Sequence, residues 1–549
     1  MHSRVDEWRG TASAITPRLS PRDDLLVAET PAPGTVAPPE PTEADGHATY
    51  VAAHGPFAHY ERRLDWHHGE DGDVVLTQRI DWRLAIPYWG WLYHPNVRRT
   101  LRDGVAPGTR PWWLFPDRLS VRQARAAAVM ALFSVVAGLI YGQLTQVLTF
   151  ASADIGDGSS GQQAAIFALV RIGAVLTAVM LFQADRFGRR RIALWSFGVA
   201  IALSFLTALV PGLAALTVLQ AISRNLAIAG LLAVDTICVE ELPAGSRAMA
   251  AGLGAMAYGL GSGVVVVSLP LADLGPAGWR AVFALSILTV PLLISGSRTL
   301  RESGRFQLLS HSADRDRPVD RAALDHTAPD HTAPDHTADA HADGPGPSPL
   351  PREATRIRGS RFILLAALFL LINLFIAPVS QLQNDYLRAD RGFDGLTITI
   401  FTVLTGTPAA IGVVVGGRIA DTRGRRWALV PGLVALGLFT AVFFATSGPS
   451  MWVSALTAAV LGTLTVAPLG VLAPELFPTS RRGSARGALN VLAVCGSVLG
   501  LVLAGVLVDA NGYGPTFALL ALGPILAAGL AFAVPETRNR ELEDINSER

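Results

Sequence analysis

After residue 120 the chain alternates between apolar runs of about twenty residues and short polar segments. A helix of that length spans the ~30 Å hydrocarbon core of a bilayer. Twelve such runs divide six and six around the polar residues 297–360. The predicted spans are 126–149, 162–183, 191–210, 213–238, 248–270, 279–296, 361–381, 397–419, 427–446, 451–473, 486–508 and 515–534. The pattern predicts an all-α membrane protein of twelve transmembrane helices in two six-helix bundles.

The segments outside the spans have a different character. Residues 1–55 are rich in Pro, Ala, Thr and Glu and show no hydrophobic period, so we expect a disordered tail. Residues 57–66 and 74–82 have the composition of two strands around a turn. The predicted division is a cytoplasmic tail 1–55, a cytoplasmic or interfacial segment 56–120, an N-terminal bundle 121–300, a disordered linker 301–360, a C-terminal bundle 361–535 and a tail 536–549.

Two short charged motifs each occur twice. Asp-x-x-Gly-Arg-Arg occupies 185–190 and 421–426, which are 236 residues apart. Glu-x-x-Pro-x-x-x-Arg occupies 240–247 and 475–482, which are 235 residues apart. Two motifs duplicated at almost one spacing indicate that the apolar part is two copies of a unit of roughly 200 residues.

Composition narrows the chemistry. Half of the residues are hydrophobic and 16% are charged, against about 25% in soluble proteins. The formal net charge of +1 gives no reason to expect a nucleic-acid partner, and all 45 basic residues are arginine, which excludes P-loop and Schiff-base lysines. We expect neither an enzyme nor a cofactor. The repeat around His326, His331 and His336 contains metal-ligand side chains, but we expect a solvated Pro-rich linker rather than a metal site.

Arginine placement predicts an orientation. Loops that carry Arg189, Arg247 and Arg425 lie on one side of the predicted membrane. On the other side, the loops 150–161, 446–450 and 509–514 contain no arginine, and only Arg280, Arg388 and Arg391, at the membrane edge, break the pattern. Under the positive-inside rule the arginine-rich face is cytoplasmic. This predicts a multi-pass protein of the cell (inner) membrane with both termini in the cytoplasm.

The six-plus-six spans and both duplicated motifs, after spans 2 and 8 and after spans 4 and 10, resemble the major facilitator superfamily over residues 120–545. The segment Pro535-Glu536-Thr537 is similar to the tail of the sugar-porter branch and its relatives. The resemblance implies two pseudo-symmetric bundles that expose a central substrate site to one face at a time. Span 1 contains no carboxylate, unlike that of proton-coupled sugar porters, so the coupling ion stays open.

The duplicated motifs predict a gate. Acidic and arginine side chains at the inner ends of neighbouring helices can pair between the two halves, hold the cytoplasmic side closed and separate when it opens. The alternative is that these arginines only enforce topology. The predicted gate residues are Asp185, Arg186, Gly188, Arg189, Arg190, Glu240, Arg247, Asp421, Gly424, Arg425, Arg426, Glu475 and Arg482.

Two arginines inside the spans predict a substrate site. Arg171 and Arg224 lie roughly 21 and 24 Å along their helices from the gate carboxylates, near the midplane. Their repeat equivalents are Thr407 and Ala459, so only the N-terminal half carries these charges. Because no Asp or Glu lies at that depth, a bound anion can supply the counter-ion. The alternatives are packing against backbone carbonyls, or snorkelling to the interface.

Further polar side chains complete the candidate set, although each can equally form an interhelical hydrogen bond. The additional substrate-binding candidates are Tyr141, Gln143, Asn225, Asn373, Gln381, Gln383 and Asn384. Asp235 and Asp385 are candidates for proton coupling.

The resulting hypothesis is a secondary active or facilitative transporter of a small organic solute, with an anion preferred. It would act by alternating access as a monomer in the lipid bilayer. Whether transport is coupled to a proton is left open. A neutral sugar or polyol carrier is the alternative. A membrane sensor that binds a solute without flux, and signals through residues 1–120, is the alternative from another class.

Overall fold

The computed structural model places a small sheet domain before a helical membrane domain. It describes residues 1–33, 45–69, 73–156, 166–307, 359–478 and 481–540, apart from residues 168, 172, 269, 270, 273, 274, 276, 394 and 539. The histidine repeat of the linker lies outside the described residues.

Helices occupy all twelve predicted regions, and they are numbered here as spans 1–12. Their bounds are Val121–Ile155, Ala174–Phe187, Arg189–Thr207, Leu213–Glu241, Ala244–Ser268, Trp279–Thr299, Gly359–Asp385, Gly395–Gly406 with Ala409–Thr422, Arg425–Ala445, Pro449–Leu476, Arg482–Asn511 and Tyr513–Ala531. Within the described residues, eleven helices are long and apolar enough to cross a membrane. Span 2 is described as a continuous helix only over its second part, so it falls below that length.

Each half of the membrane domain has its own apolar core. The N-terminal core is built around Phe133, Phe197 and Leu144, all fully buried. The C-terminal half contains two cores, one around Leu368 and Leu472 and a second rich in aromatic rings. A smaller cluster joins the two halves, and four of its six buried members are alanines. Small side chains allow the halves to approach closely without locking them together by deep interdigitation.

The first residues form a sheet, which corrects the prediction of a disordered tail over 1–55 and adds a β domain to the all-α class. The five strands are β1 (His2–Gly10), β2 (Ala28–Pro31), β3 (Gly46–His54), β4 (Phe57–His68) and β5 (Val74–Leu84), with helices α1 (Ala12–Leu19) and α2 (Gly90–Asp103). The strand order is β1-β5-β4-β3-β2, with every neighbouring pair antiparallel. The two strands predicted at 57–66 and 74–82 are confirmed as β4 and β5.

The hydrophobic period of the early strands is weak for a structural reason. β1 and β2 are the edge strands of the sheet, so they bury little of their own surface. Their partners supply the core instead, since Leu64, Ile80 and Trp82 are fully buried. A pattern of Pro, Ala, Thr and Glu therefore hides strands whose burial depends on residues later in the chain.

A buried ion pair lies within this domain. Arg62 donates to Glu29 at 2.6 Å, and both side chains are almost fully enclosed. The Tyr60 hydroxyl donates to the same carboxylate at 2.5 Å. Burial, and then the nearby Glu29 charge, raise the pKa of Tyr60 well above its usual value, so its hydroxyl stays a donor. Two side chains of β4 thus bind one buried carboxylate of β2.

A strap formed by residues 110–118 holds the sheet domain against both halves of the membrane domain. Arg418 of span 8 donates to the carbonyl oxygens of Leu114 at 2.9 Å and Arg110 at 2.6 Å. On the other half, the backbone N–H of Asp117 donates to Ser246 at 3.1 Å. The segment predicted to be a cytoplasmic or interfacial piece therefore contacts both bundles on the arginine-rich face.

We predict that Glu29→Gln destabilises the sheet domain by about 3–5 kcal/mol, because it leaves the buried Arg62 charge without a counter-charge. Pulse proteolysis of the full chain at increasing denaturant measures this loss of stability. The readout is the cleavage of residues 1–105. Glu61→Gln is the matched control, since its partner Arg63 is half exposed and such pairs contribute about 0–1 kcal/mol. Equal losses in both variants would contradict the role of the buried pair.

Candidate functional site

The carboxylate of Asp185, at the end of span 2, caps a helix of the opposite half. Its Oδ1 accepts from the backbone N–H of Gly483 at 3.0 Å, and its Oδ2 accepts from the N–H and hydroxyl of Ser484 at 2.7 and 2.8 Å. These groups begin span 11, where helical N–H groups lack partners within the helix. An anion at a helix N-terminus also interacts favourably with the helix dipole.

Asp421, the repeat equivalent of Asp185, makes the reciprocal contact. Its Oδ1 accepts from the N–H of Ala248 at 3.0 Å, and its Oδ2 accepts from the N–H of Met249 at 2.7 Å. Those groups lie in the first turn of span 5, in the N-terminal half. Each half therefore supplies a carboxylate that caps a helix of the other half. We call the two contacts the reciprocal caps.

Buried arginines connect the caps to the second duplicated motif. Arg482 pairs with Glu240 across the two halves, and Arg247 lies 3.9 Å from Glu475 in the equivalent crossing. All four side chains are nearly or fully buried. Within each half, an arginine joins the cap carboxylate to the glutamate: Arg189 is 3.5 Å from both Asp185 and Glu240, and Arg425 is 2.5 Å from Asp421 and 2.8 Å from Glu475.

A third duplicated element supports the arginine loops, and motif comparison missed it. The carboxylate of Glu302 accepts from the N–H of Arg190 at 2.9 Å, and that of Glu536 accepts from the N–H of Arg425 at 3.0 Å. Glu302-Ser303 and Glu536-Thr537 stand 234 residues apart, close to the offset of the other two motifs. Thr537 then donates to Glu475 at 2.5 Å. The repeat offset was the signal that could have found this pair.

The glycines of the arginine loops are required by this element. Gly188 and Gly424 have φ angles of +97° and +122°, which side-chain-bearing residues rarely adopt. A Cβ atom at either position would lie 2.8 or 2.7 Å from the carboxylate oxygen of Glu302 or Glu536. The loops can therefore approach their capping glutamates only because these positions have no side chain.

Three of the predicted gate arginines make no described contact across the two halves. Arg190 and Arg426 donate to the carbonyl oxygens of Leu300 and Val534 at 2.8 and 3.0 Å, which ties spans 3 and 9 to the ends of spans 6 and 12 in their own halves. Arg186 is exposed and lies over the ring of its neighbour Phe187. All three therefore correct the prediction that these arginines pair between the halves.

One ion pair of the interface has no symmetric counterpart. Arg486 of span 11 donates to Asp235 of span 4 at 3.0 Å and to the carbonyl oxygen of Leu232 at 3.0 Å. The repeat equivalents are the uncharged residues Gly470 and Ala251, which lie so close that a Cβ atom added at Gly470 would be 3.2 Å from the Cβ atom of Ala251. Asp235, a candidate for proton coupling, is thus occupied by an ion pair between the halves.

On the side away from the arginine loops the two halves separate. Gly252 of span 5 faces Val413 of span 8 at contact distance. Farther along the same helical face, a Cβ atom at Gly259 or Gly263 would meet nothing within 4 Å, and the same holds for Gly406 of span 8. The interface is therefore closed at the arginine-rich end and open beyond it.

Arg224 and Tyr141 form the centre of the N-terminal half. The Arg224 guanidinium lies 3.9 Å from the centroid of the Tyr141 ring and donates to Thr145 at 3.1 Å. Arg224 is 4% exposed, whereas Tyr141 is 40% exposed. The Nε atom of Arg224 is buried without a hydrogen-bond partner among the described residues.

Arg171 lies at the same level on the neighbouring span. Asn225 donates to the carbonyl oxygen of Val170 at 3.1 Å, which sets the two helices side by side at this depth. Arg171 directly follows Val170, and it precedes the described helix of span 2, which begins at Ala174. Its Nη1 atom also lacks a partner among the described residues.

Comparison with known proteins identifies the architecture. Residues 362–548 match the sequence profile of the Major Facilitator Superfamily. The probable actinorhodin transporter of Streptomyces coelicolor is 31% identical over 205 residues, an alignment that covers 35% of each chain. The glucose transporter GlcP of Staphylococcus epidermidis is 24% identical over 76% of this chain and 96% of that protein. The proton:xylose symporter XylE, bound to 6-bromo-6-deoxy-D-glucose, has a TM-score of 0.61 at 16% identity over 77% of this chain and 98% of that chain.

Residues 362–548 of the chain thus resemble the Major Facilitator Superfamily, and a longer part of the chain is similar to sugar transporters. The fold of the chain is the two-bundle fold of that superfamily, and it resembles the sugar-porter transporters. The relatives are transporters rather than enzymes. The likeness to XylE concerns the fold alone, and the match to the actinorhodin transporter spans about a third of that protein.

The remaining candidate residues divide into those with a structural role and those whose role is open. Gln143 is fully buried, donates to the carbonyl oxygen of Val282 at 2.7 Å and accepts from Ser204 at 2.5 Å, so no group is left for a substrate. Asn225 likewise bridges spans 2 and 4 through Val170. Both correct the candidate set, because the sequence could not separate interhelical amides from those that line a cavity.

In span 7, only two of the five polar candidates have described side chains. Asn373 donates to the carbonyl oxygen of Phe369 in its own helix at 2.8 Å. Gln383 is half buried. The side chains of Gln381, Asn384 and Asp385 lie outside the described residues, so their roles stay predictions.

We predict that Asp185→Asn, and equally Asp421→Asn, shifts the protein towards a state open at the arginine-rich face. Each change weakens charge-assisted hydrogen bonds that are worth about 1.5–3 kcal/mol each. The closed-to-open ratio should fall at least roughly tenfold. Spin labels at the equivalent exposed positions 191 and 427, in a Cys238→Ala/Cys495→Ala background, measure the distance distribution. Arg186→Gln is the control, and an unchanged distribution in both Asn variants would contradict the reciprocal caps.

The ion pair between Asp235 and Arg486, which has no counterpart at the repeat-equivalent positions, gives a separate prediction. Asp235→Asn and Arg486→Gln should each lengthen the same label distance, and the double variant should lengthen it no further than the more severe single variant. The reason is that both single changes remove one shared interaction, which a double-mutant cycle isolates. Additive effects of the two changes would show that the pair does not hold the halves together.

Proposed function

We propose that this protein carries a small organic anion across the membrane by alternating access, with the arginine-rich face as the inner gate. The reciprocal caps and the buried ion pairs support a state that is closed at that face. Such contacts must be broken and reformed in each cycle, so each needs to be worth only a few kcal/mol. The gate lies within one chain, which supports action as a monomer.

The orientation belongs to the proposal. The gate arginines, together with the arginine-free loops 150–161, 446–450 and 509–514 of the other face, support a cytoplasmic location of the arginine-rich face under the positive-inside rule. Both termini then lie on the cytoplasmic side of the cell membrane. The open part of the interface faces outwards, so the state described here would accept a substrate from outside.

The observation that carries the substrate class is the central pair of arginines. Burying a guanidinium without a counter-charge is costly, and both Arg171 and Arg224 have a buried donor atom without a partner among the described residues. The Tyr141 ring offsets part of the cost for Arg224 through a cation–π contact. A carboxylate or other planar anion between the two would satisfy the free donors bidentately.

The asymmetry of the two halves supports a substrate role over a topological one. The repeat equivalents of the two arginines are Thr407 and Ala459. Thr407 lies at the break between the two helical segments of span 8. A gate that must open and close symmetrically is duplicated in both halves, whereas the central arginines occur in one half alone.

A neutral sugar is the second candidate, and the relatives favour it. GlcP is a glucose transporter and XylE is a proton:xylose symporter, and the chain covers almost the full length of both. Arginine donors and the exposed Tyr141 hydroxyl can also bind sugar hydroxyls. Proton coupling stays a hypothesis, since Asp235 is paired with Arg486 and Asp385 awaits a test by Asp385→Asn.

We predict that Arg171→Gln and Arg224→Gln each weaken the binding of the transported anion by about 10- to 100-fold, because each removes a charged hydrogen bond worth about 1.5–3 kcal/mol. The measurement is ligand-dependent thermal stabilisation of the purified chain across carboxylates, sugars and amines, followed by uptake of the best ligand. Arg191→Gln, an exposed arginine outside the site, is the control. Stabilisation by a sugar that both variants preserve would reject the anion and favour the second candidate.

A further inference from the structure

A cavity of about 560 Å³ lies where the sheet domain meets the membrane domain. It falls in the ~300–1,000 Å³ range of small-molecule sites. Its walls come from three sources: the end of β5 with the residues after it, the first turns of span 1, and the last turns of spans 4 and 6. The gate and the central arginines do not line it. The cavity therefore belongs to neither site described above.

The cavity is strongly basic. Five arginines and two glutamates line it, which gives a formal net charge of +3: Arg83, Arg122, Arg125, Arg298, Arg301, Glu241 and Glu302. Both carboxylates are already engaged. Glu241 pairs with Arg122 at 2.6 Å, and Glu302 accepts from the backbone N–H of Arg190 at 2.9 Å.

Four arginines remain without an anion. The side chains of Arg83, Arg125, Arg298 and Arg301 make no hydrogen bond or ion pair with the residues that the structure describes. They come from three separate elements of the fold, so the tertiary structure alone brings them together. Guanidinium groups that converge on one cavity match the geometry of a phosphate group, which accepts paired N–H donors.

The surroundings place this cavity at the level of lipid headgroups. The indole of Trp89 donates to the carbonyl oxygen of Ala128 in span 1 at 2.9 Å, and the Tyr88 hydroxyl lies 2.9 Å from that of Ser295 in span 6. The next residues, Trp91 and Leu92, are 70% and 49% exposed. Exposed aromatic and aliphatic side chains beside arginines are typical of a membrane interface.

We propose that the cavity between the sheet domain and spans 1, 4 and 6 is a binding site for a phosphate-bearing anion. The four free arginines hold the phosphate, and the occupant is either a phospholipid headgroup from the adjacent leaflet or a free organic phosphate. Glu302 in its wall caps the arginine loop of the gate, and Glu241 follows the gate residue Glu240 and accepts from the N–H of Gly304 at 2.8 Å. An occupant therefore contacts the same elements that support the closed gate.

The test uses the full chain with two probes. Native mass spectrometry measures the retention of phosphatidylglycerol titrated into the detergent-purified protein, and thermal stabilisation measures the binding of inorganic pyrophosphate. The test variant is Arg125→Gln/Arg298→Gln. The matched control is Arg99→Gln/Arg191→Gln, which removes the same charge from exposed arginines of the same face outside the cavity.

We expect the test variant to weaken binding of one probe at least tenfold, while the control stays within about twofold of the natural chain. Loss of phosphatidylglycerol alone identifies a lipid headgroup, and loss of pyrophosphate alone identifies a free phosphate. Equal effects of both variants on both probes, or binding of neither probe by the natural chain, would overturn the site. The result is independent of the transported solute, because Arg171 and Arg224 are unchanged in every variant.

Discussion

The reciprocal caps are the interaction on which the rest of the interface depends. The N–H groups that begin spans 5 and 11 have no acceptor in their own helices. A buried carboxylate is costly unless hydrogen-bond donors surround it. Asp185 and Asp421 satisfy both needs at once, but only while the two halves are together. In the proposed cycle, opening of this face exposes the same groups to water, which replaces the bonds on both sides. The energy difference between the two states stays small for that reason, although each contact is strong within the closed state.

Symmetry and its absence divide the functions of the molecule. Caps, buried arginines and supporting glutamates all occur twice, as a gate that closes around a twofold axis requires. The pair Asp235–Arg486 and the central arginines occur once. The Asp235–Arg486 pair stabilises the closed state through a contact that only one side of the interface has. The central arginines place positive charge in the N-terminal half of the central site alone. Under the proposed function, these unduplicated residues give the duplicated fold its substrate preference and its bias towards one state.

The sheet domain is more than an appended tail, because its strap touches both halves. Arg418 binds the strap from the C-terminal half and Ser246 from the N-terminal half, close to the reciprocal cap of Asp421. Any motion that separates the halves must release one of these contacts or carry the strap along. The basic cavity behind the strap gives the same face a second point at which charge could influence the gate.

The sequence by itself determined the twelve spans and their division into two sets of six, because the length of an apolar run is a local signal. It also determined the gate motifs, because a nearly constant repeat offset can be read along the chain. It also located Arg171 and Arg224, since charges inside apolar runs stand out. Tertiary structure decided the rest. Edge strands in residues 1–55 gained their burial from β4 and β5, Gln143 and Asn225 found backbone partners on other helices, and four arginines from distant segments met in one cavity. Each of these outcomes depends on which surfaces face one another, and no linear pattern records that.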